Sequence, residues 1–181
     1  MNKIMVIYAH PSPKKSKINR HLFETAKNLE HVTAHDLYEL YPHMHIDVRV
    51  EQAAVRDAQT LVFQFPIYWY SAPSILKEWI DSVLTHEFAY GSGEKALAGK
   101  NFMLAISASG SVGCYSKAGP HGAEIGTYLA PFEQTARFCG MKLLDPFIVQ
   151  KAGEIEAHML DQIIDDYEKR LIKLGTLGDG G

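Results

Sequence analysis

The chain reads as a single α/β domain: a doubly wound, five-stranded parallel sheet in the order 2-1-3-4-5, with helices on both faces. Two observations predict this. Short continuous apolar runs alternate along the chain with longer segments whose apolar residues recur at helical spacing. Strands that alternate with helices build a parallel sheet covered on both sides, and no repeat, linker or low-complexity stretch interrupts the alternation. At 181 residues the chain holds one domain with a substantial core and is short for two, and the five-strand order suits that length.

The elements follow in order. Ile4 to Ala9 is a buried strand. Ile18, Leu22, Phe23, Ala26 and Leu29 mark a helix. Val32 to Leu37 is the second strand, Val48 to Ala58 a weaker helix, and Thr60 to Phe65 the third strand. Pro73 opens a helix, where its missing N–H costs nothing, and Ile75, Leu76, Trp79, Ile80, Val83 and Leu84 form its apolar face. A loop with Gly91, Gly93 and Gly99 leads to the fourth strand, Phe102 to Ala108. Tyr128, Leu129, Phe132, Ala136 and Phe138 mark the next helix, which Gly140 ends as a C′ residue. Leu143 to Val149 is the fifth strand, interrupted by Pro146. Ile155, Met159, Ile163, Ile164, Tyr167 and Leu171 face the core from the last helix. The domain is expected to span 1–174, with 175–181 a frayed tail.

Composition narrows the function. Hydrophobic residues at 46% and charged residues at 22% are globular values. A formal charge of −3 speaks against a nucleic-acid partner. Cys114 and Cys139 form no CxxC and no metal-type spacing, which suits a reducing cytoplasm. The run Ile4 to Ala9 is too short for a signal peptide's apolar region, and no stretch is long enough to span a bilayer. His31 and His35 would share a strand face, but no carboxylate or cysteine completes a ligand set there, and no metal is expected.

Open α/β sheets bind ligands beyond the carboxyl ends of their strands, near the switch point of strand order. Here that point lies between strands one and three, and three unusual loops follow strands one, three and four. The first, His10 to Asn19, is polar and cationic and enters a helix whose N-terminus can hold a phosphate. Ser16 and Asn19 can add hydrogen bonds; the competing reading makes Ser16 a plain N-cap among solvated lysines. This loop matches neither the G-x-G-x-x-G pattern nor a Walker loop. The second, Phe65 to Pro73, carries Tyr68, Trp69 and Tyr70 between prolines and could serve the face of a planar heterocycle; a dimer contact is its alternative. The third, Ser107-Ala108-Ser109-Gly110-Ser111-Val112-Gly113, is small enough for backbone N–H groups to approach a ligand. Tyr115 and His121 follow, able to stabilise charge developing on a bound ring.

These residues resemble the flavodoxin-like NAD(P)H:quinone reductases of the DT-diaphorase type and their short bacterial relatives, the ancillary flavoproteins of glutathione-gated potassium efflux systems. The resemblance runs from Ile4 to about Val149. It rests on Tyr8-Ala9-His10-Pro11 through Asn19, on Phe65-Pro66-Ile67-Tyr68-Trp69-Tyr70 followed by Pro73 to Trp79, on Tyr115 with Gly119-Pro120-His121-Gly122, and on Phe138-Cys139-Gly140. It implies that His10, Ser16, Ile18 and Asn19 hold a flavin phosphate. It also implies that Pro66, Ile67, Tyr68, Trp69 and Tyr70, with Ser107, Ala108, Ser109 and Gly110, line the isoalloxazine, and that Tyr115 and His121 assist hydride transfer. Ser109 stands where the family usually has glycine. His35-Asp36-Leu37-Tyr38-Glu39-Leu40-Tyr41-Pro42 pulls toward the potassium-efflux subgroup, as does the compact length. The implied activity is two-electron, ping-pong hydride transfer from NADPH or NADH to quinones or related electrophiles, on FMN in preference to FAD. The alternative is a regulatory subunit of a potassium-efflux transporter at the inner face of the membrane. The family implies a homodimer, which exposed Tyr68 and Tyr70 would suit.

Overall fold

The computed structural model describes residues 1–176. Its strands are β1 Ile4–Tyr8, β2 Val32–Asp36, β3 Thr60–Pro66, β4 Asn101–Ser107, β5 Lys142–Leu143 and β6 Phe147–Val149. Its α-helices are α1 Asn19–Lys27, α2 Leu37–Leu40, α3 Val48–Asp57, α4 Ser74–Val83, α5 Ile125–Phe138 and α6 Ala157–Thr176. All strand pairs are parallel, in the order β2-β1-β3-β4-β5, and β6 also pairs with β4. The expected doubly wound order is therefore present. Its fifth position is held by two short strands on either side of Leu144-Asp145-Pro146, because proline lacks the N–H that a ladder needs.

The two faces of the sheet sort by the period-two alternation of strand side chains. Met5, Ile7, Leu61, Phe63, Phe65, Leu104 and Ile106 point to one face, where Val55 of α3, Trp79 of α4 and Phe132 of α5 cover them. Ile4, Val6, Tyr8, Val62, Met103 and Ala105 point to the other, under Leu22 and Phe23 of α1 and Tyr167 and Leu171 of α6. With both faces covered, β1 and β3 are buried at every residue, which is why β1 reads as an unbroken apolar run and β3 as one broken within its length only by Gln64.

Several boundaries differ from the sequence reading. Leu37 leaves β2 and opens α2, because the Asp36 carboxylate accepts from the Tyr38 and Glu39 N–H groups and caps a helix there. Pro73 is the N-cap of α4, one residue before the helix proper. Gly140 does end α5: at φ +75° it is C′ of a Schellman motif, with Gly140 N–H to Arg137 O at 3.0 Å and Met141 N–H to Ala136 O at 2.9 Å. On the last helix, Tyr167 and Leu171 are fully buried and Met159 is half-exposed, since it lies in the first turn, beyond the edge of the sheet-facing stripe. The helix also continues past residue 174. Gly175 is helical and buried, a Cβ there would lie 2.5 Å from the His31 ring, and its carbonyl accepts from the Asn2 N–H. The remainder of the expected tail, 177–181, lies outside the described residues.

One polar cluster fastens the helices of the first face. The Glu51 carboxylate is fully buried and accepts from His35 Nδ1 at 2.9 Å, the Tyr41 hydroxyl at 2.6 Å and Trp79 Nε1 at 2.7 Å. Those donors come from β2, the segment after α2, and α4. Burial by itself would raise the Glu51 pKa; the hydrogen bonds from His35, Tyr41 and Trp79 outweigh it and hold the carboxyl below its ordinary value. Glu51→Ala leaves three buried donors unpaired and is expected to destabilise by about 3–5 kcal/mol, lowering the melting temperature by about 10 °C at neutral pH. A group with a depressed folded pKa stabilises above its unfolded value and loses that stabilisation as pH falls through the folded one. The gap between wild type and variant should therefore narrow below the ordinary glutamate value of 4.5. A pH-independent gap in calorimetric melts would contradict this account.

Candidate functional site

At the carboxyl edge of the sheet a cleft of about 200 Å³ opens between the first, second and third loops. Its walls include His10, Ser16, Ile18 and Asn19 after β1, Pro66, Ile67 and Tyr68 after β3, and Ser107 and Ser109 after β4. Parallel register brings these loops level: Tyr8 of β1 lies beside Gln64 of β3, and Pro66 of β3 beside Ser107 of β4. The Ile67 N–H then bonds the Ser107 carbonyl at 2.8 Å. Buried side chains lock the corner. Gln64 Nε2 donates to the Asn19 carbonyl at 2.7 Å, the Tyr167 hydroxyl donates to Gln64 Oε1 at 3.1 Å, and Asn19 Nδ2 donates to Ser107 Oγ.

The first loop forms a short 3₁₀ turn over Pro13–Lys15 before α1 begins. Helix α1 carries no side-chain N-cap and no acidic residue in its first turn. Ser16 Oγ meets only the Arg20 N–H, at 3.4 Å, so Ser16 is not the helix's N-cap; Ile18 holds that position. The N–H groups of Asn19 and His21 find no acceptor among the described residues, and Lys15 and Lys17 line the same cleft. An uncapped helix N-terminus beside two lysines is a positive site suited to a phosphate dianion. His10 is buried, and its Nδ1 accepts the Ser12 N–H at 3.1 Å. Burial pushes its pKa down, so the ring is neutral at pH 7, and Nδ1, as acceptor, leaves the proton on Nε2.

The second loop is a tight turn. Tyr68 and Ser71 exchange both backbone hydrogen bonds at 3.0 Å, with Trp69 at φ +47° and Tyr70 at φ +62° between them. Two positive-φ residues mark the type I′ geometry that Asn-Gly usually fills, and for bulky side chains each costs on the order of 1–3 kcal/mol. The turn carries Trp69 out of the cleft to 93% exposure. Tyr68 stays at the cleft with its ring 6.3 Å from His10.

Tyr70 joins a second group of rings. Tyr115 and His121 stack at 4.3 Å and 26°, Tyr70 meets His121 edge-on at 5.7 Å, and Tyr128 lies 5.0 Å from Tyr70. Tyr115 is buried, its hydroxyl has no partner among the described residues, and burial followed by the nearby Tyr128, Tyr70 and Cys114 raises its pKa. The phenol therefore stays protonated at neutral pH and is a free donor. Gly110 makes room for the pair, since a Cβ there would lie 3.0 Å from Tyr115 Cε2 and 3.1 Å from His121 Nε2.

The expected site residues thus fall into two adjoining sets. The cleft unites residues of all three loops, whereas Tyr70, Gly110, Tyr115 and His121 form the ring cluster beside it. Trp69 stands in solvent. Ala108 is buried with both backbone groups used, donating to the Val149 carbonyl at 2.9 Å and accepting from the Ala152 N–H at 3.0 Å. Sequence reasoning missed the segment after β6: Ala152 and Gly153 also line the cleft, and Lys17 Nζ bonds the Gly153 carbonyl at 2.7 Å. The small-residue pair Ala152-Gly153 beyond the carboxyl end of a strand was the available signal. Lys15 and Lys17 stood in the phosphate loop without being singled out.

The chain belongs to the flavodoxin-like fold family, whose model matches residues 2–171. It is 44% identical over 161 residues to the glutathione-regulated potassium-efflux system ancillary protein KefG of Serratia proteamaculans, covering 86% of this chain and 88% of that one. Among solved structures, general stress protein 14 of Treponema denticola, in complex with FMN, superposes with a TM-score of 0.90 at 36% identity, covering 95% of this chain and 99% of that one. A Streptomycin violaceusniger enzyme described as a thermophilic tryptophan halogenase gives 0.88 at 37%, covering 92% and 97%. An NADPH-quinone reductase from P. pentosaceus gives 0.84 at 27%, covering 93% and 96%.

The residues present fit a phosphorylated flavin. The uncapped start of α1 and its lysines suit the phosphate. Asn19 Oδ1 is buried with no partner, an acceptor ready for a polyol hydroxyl, and the N–H groups of Ser109 and Gly110 find no acceptor among the described residues. Gly110→Ala is expected to crowd the Tyr115–His121 stack and destabilise by about 1–3 kcal/mol in urea unfolding. Gly126→Ala, at a helical position with open space around it, should be neutral or stabilising by up to about 1 kcal/mol. Equal effects from the two changes would contradict the steric role of Gly110.

Proposed function

We propose that the protein is an FMN-dependent NAD(P)H:quinone oxidoreductase. The observation that carries the proposal is the placement of a stacked Tyr115–His121 pair beside a cleft built for a phosphorylated flavin. Bound FMN would supply the hydride-accepting and hydride-donating ring. His10, Ser16, Asn19 and the start of α1 hold the phosphate and polyol; Pro66, Ile67, Tyr68, Ser107, Ser109 and the Gly110 N–H border the ring. Tyr115, protonated and unpartnered, and His121 stabilise negative charge developing on the ring by hydrogen bonding. NADPH or NADH and then a quinone or related electrophile occupy the same face in turn, a ping-pong order. The relationship to an NADPH-quinone reductase and to an FMN complex supports this reading.

A second reading has its own observation, the 44% identity to a potassium-efflux ancillary protein. Here the chain would act on a cytoplasmic domain of a potassium-efflux transporter and sit peripherally at the membrane; no described helix is long and apolar enough to cross one. Co-purification with such a transporter, against robust quinone turnover without it, separates the two.

The protein should purify yellow, with a released flavin of FMN mass; colourless protein that takes up neither FMN nor FAD would end the proposal. The double variant Tyr115→Phe, His121→Gln should retain flavin and slow its reduction by NADPH about 100-fold in stopped-flow, and an unchanged rate would remove the pair from the chemistry. The exposed Trp69 and Val112, at 93% and 72% in the loops after β3 and β4, support a homodimer, which light scattering at micromolar concentration should show; a monomer would count against it.

A further inference from the structure

The stack of Tyr115 on His121 lies in a loop, not on a strand or helix, so something must hold it. Backbone bonds fold the loop upon itself: the Tyr115 N–H reaches the Ser111 and Val112 carbonyls at 3.3 and 3.2 Å, the Cys114 N–H the Ser111 carbonyl at 3.0 Å, and the His121 N–H the Cys114 carbonyl at 3.3 Å. None of these ties Tyr115 or His121 to the body of the domain, which the base of the loop reaches through the Lys151 N–H on the Gly110 carbonyl at 3.2 Å. The His121 carbonyl is held differently. It accepts the hydroxyl hydrogen of Tyr128, a half-buried residue in the first turn of α5. Because Leu129 and Phe132 seat α5 in the core, this bond anchors the His121 segment to a rigid element.

The Tyr128 ring has further neighbours. It lies 5.0 Å from the Tyr70 ring and 6.1 Å from the Tyr115 ring. Three chain segments therefore meet on one side chain: the strained turn after β3, the loop after β4 and the start of α5. The hydroxyl fixes His121 through its backbone while the ring backs Tyr70 and Tyr115. In the sequence Tyr128 reads simply as one residue of an amphipathic helix.

We propose that Tyr128 is the positioning residue of the site: its hydroxyl, through the His121 carbonyl, holds the imidazole stacked on Tyr115. Tyr128 itself moves no proton. The inference rests on the reading of Tyr115 and His121 given under the proposed function, but its geometric core can be tested without turnover. Tyr128→Phe is the informative change, since it keeps the ring and its aromatic contacts and removes the single hydrogen bond.

The first measurement is NMR of protein labelled at histidine, loaded with FMN, with the His121 signals assigned by their loss in His121→Gln. In wild type the His121 ring protons should carry the ring-current shift of the stacked Tyr115. In Tyr128→Phe they should move toward the free-histidine position, while the melting temperature and FMN affinity hold. Signals that stay in place overturn the proposal whatever the rate does. The second measurement is flavin reduction by NADPH in stopped-flow. Tyr128→Phe should lower the limiting rate about tenfold, the order expected of a misplaced catalytic group, with the NADPH concentration for half-saturation unchanged. A moved signal with an unchanged rate, when His121→Gln is slow, overturns the positioning role in catalysis. If His121→Gln also reduces at the wild-type rate, the catalytic reading of the pair falls, and the anchoring of His121 by Tyr128 stands on the NMR result.

Discussion

Strand β1 is walled in on every side. Its five residues are buried, β2 and β3 pair with both of its edges, and helices cover both faces. Such a strand can present polar backbone and side chains only where it ends. Its carboxyl end is therefore where His10 and the cationic loop emerge, and the parallel register with β3 and β4 brings the next two loops out at the same edge. The cleft lies where these strands end: β1 stops at Tyr8 beside Gln64, β3 continues to Pro66 beside Ser107, and the loops that follow line the space between them.

Around that cleft, local stability has been given up. Helix α1 starts without a cap, Asn19 Oδ1 is buried without a partner, and Trp69 and Tyr70 sit at positive φ. Each is individually unfavourable, and all are gathered at one edge. A ligand with a dianion at one end and polyol hydroxyls beside it would offset the first two directly. On the other side of the sheet the polar cluster is satisfied. Glu51, fully buried, has three donors from three elements, and that network holds α4, and with it the end of the aromatic loop, against α3 and β2. Rigid support and local strain are thus neighbours in the same sheet, with the strained turn of Trp69 and Tyr70 standing at the edge where a ligand would bind.

The same frame accommodates the relatives of this chain, whose names range from reductase to ancillary protein. That range is consistent with a fold whose core residues set the cleft and whose loops set its use. In this chain the loop after β4 carries Ser109 beside Gly110. At Gly110 a Cβ would press on Tyr115 and His121 at 3.0 and 3.1 Å, while Ser109 lines the cleft.

By itself, the amino-acid order determined the parts that depend on local periodicity and local backbone chemistry. Short runs rich in apolar residues identified β1, β3 and β4, helical spacing identified α1, α4 and α5, Gly140 marked the end of α5, and the alternation of elements implied the strand order and so the edge at which the three loops meet. The tertiary structure alone decided which distant residues touch. His35 and Glu51, read separately as a strand histidine and a helix acid, become one buried pair; Lys17 reaches Gly153 from the far end of the chain; Tyr128 becomes the anchor of His121; and Trp69 turns outward although its neighbour Tyr68 stays in the cleft. Periodicity records which face of an element is buried, but a hydrogen bond between elements depends on the register and packing of both, and those are settled only when the whole sheet and its helices close around a common core.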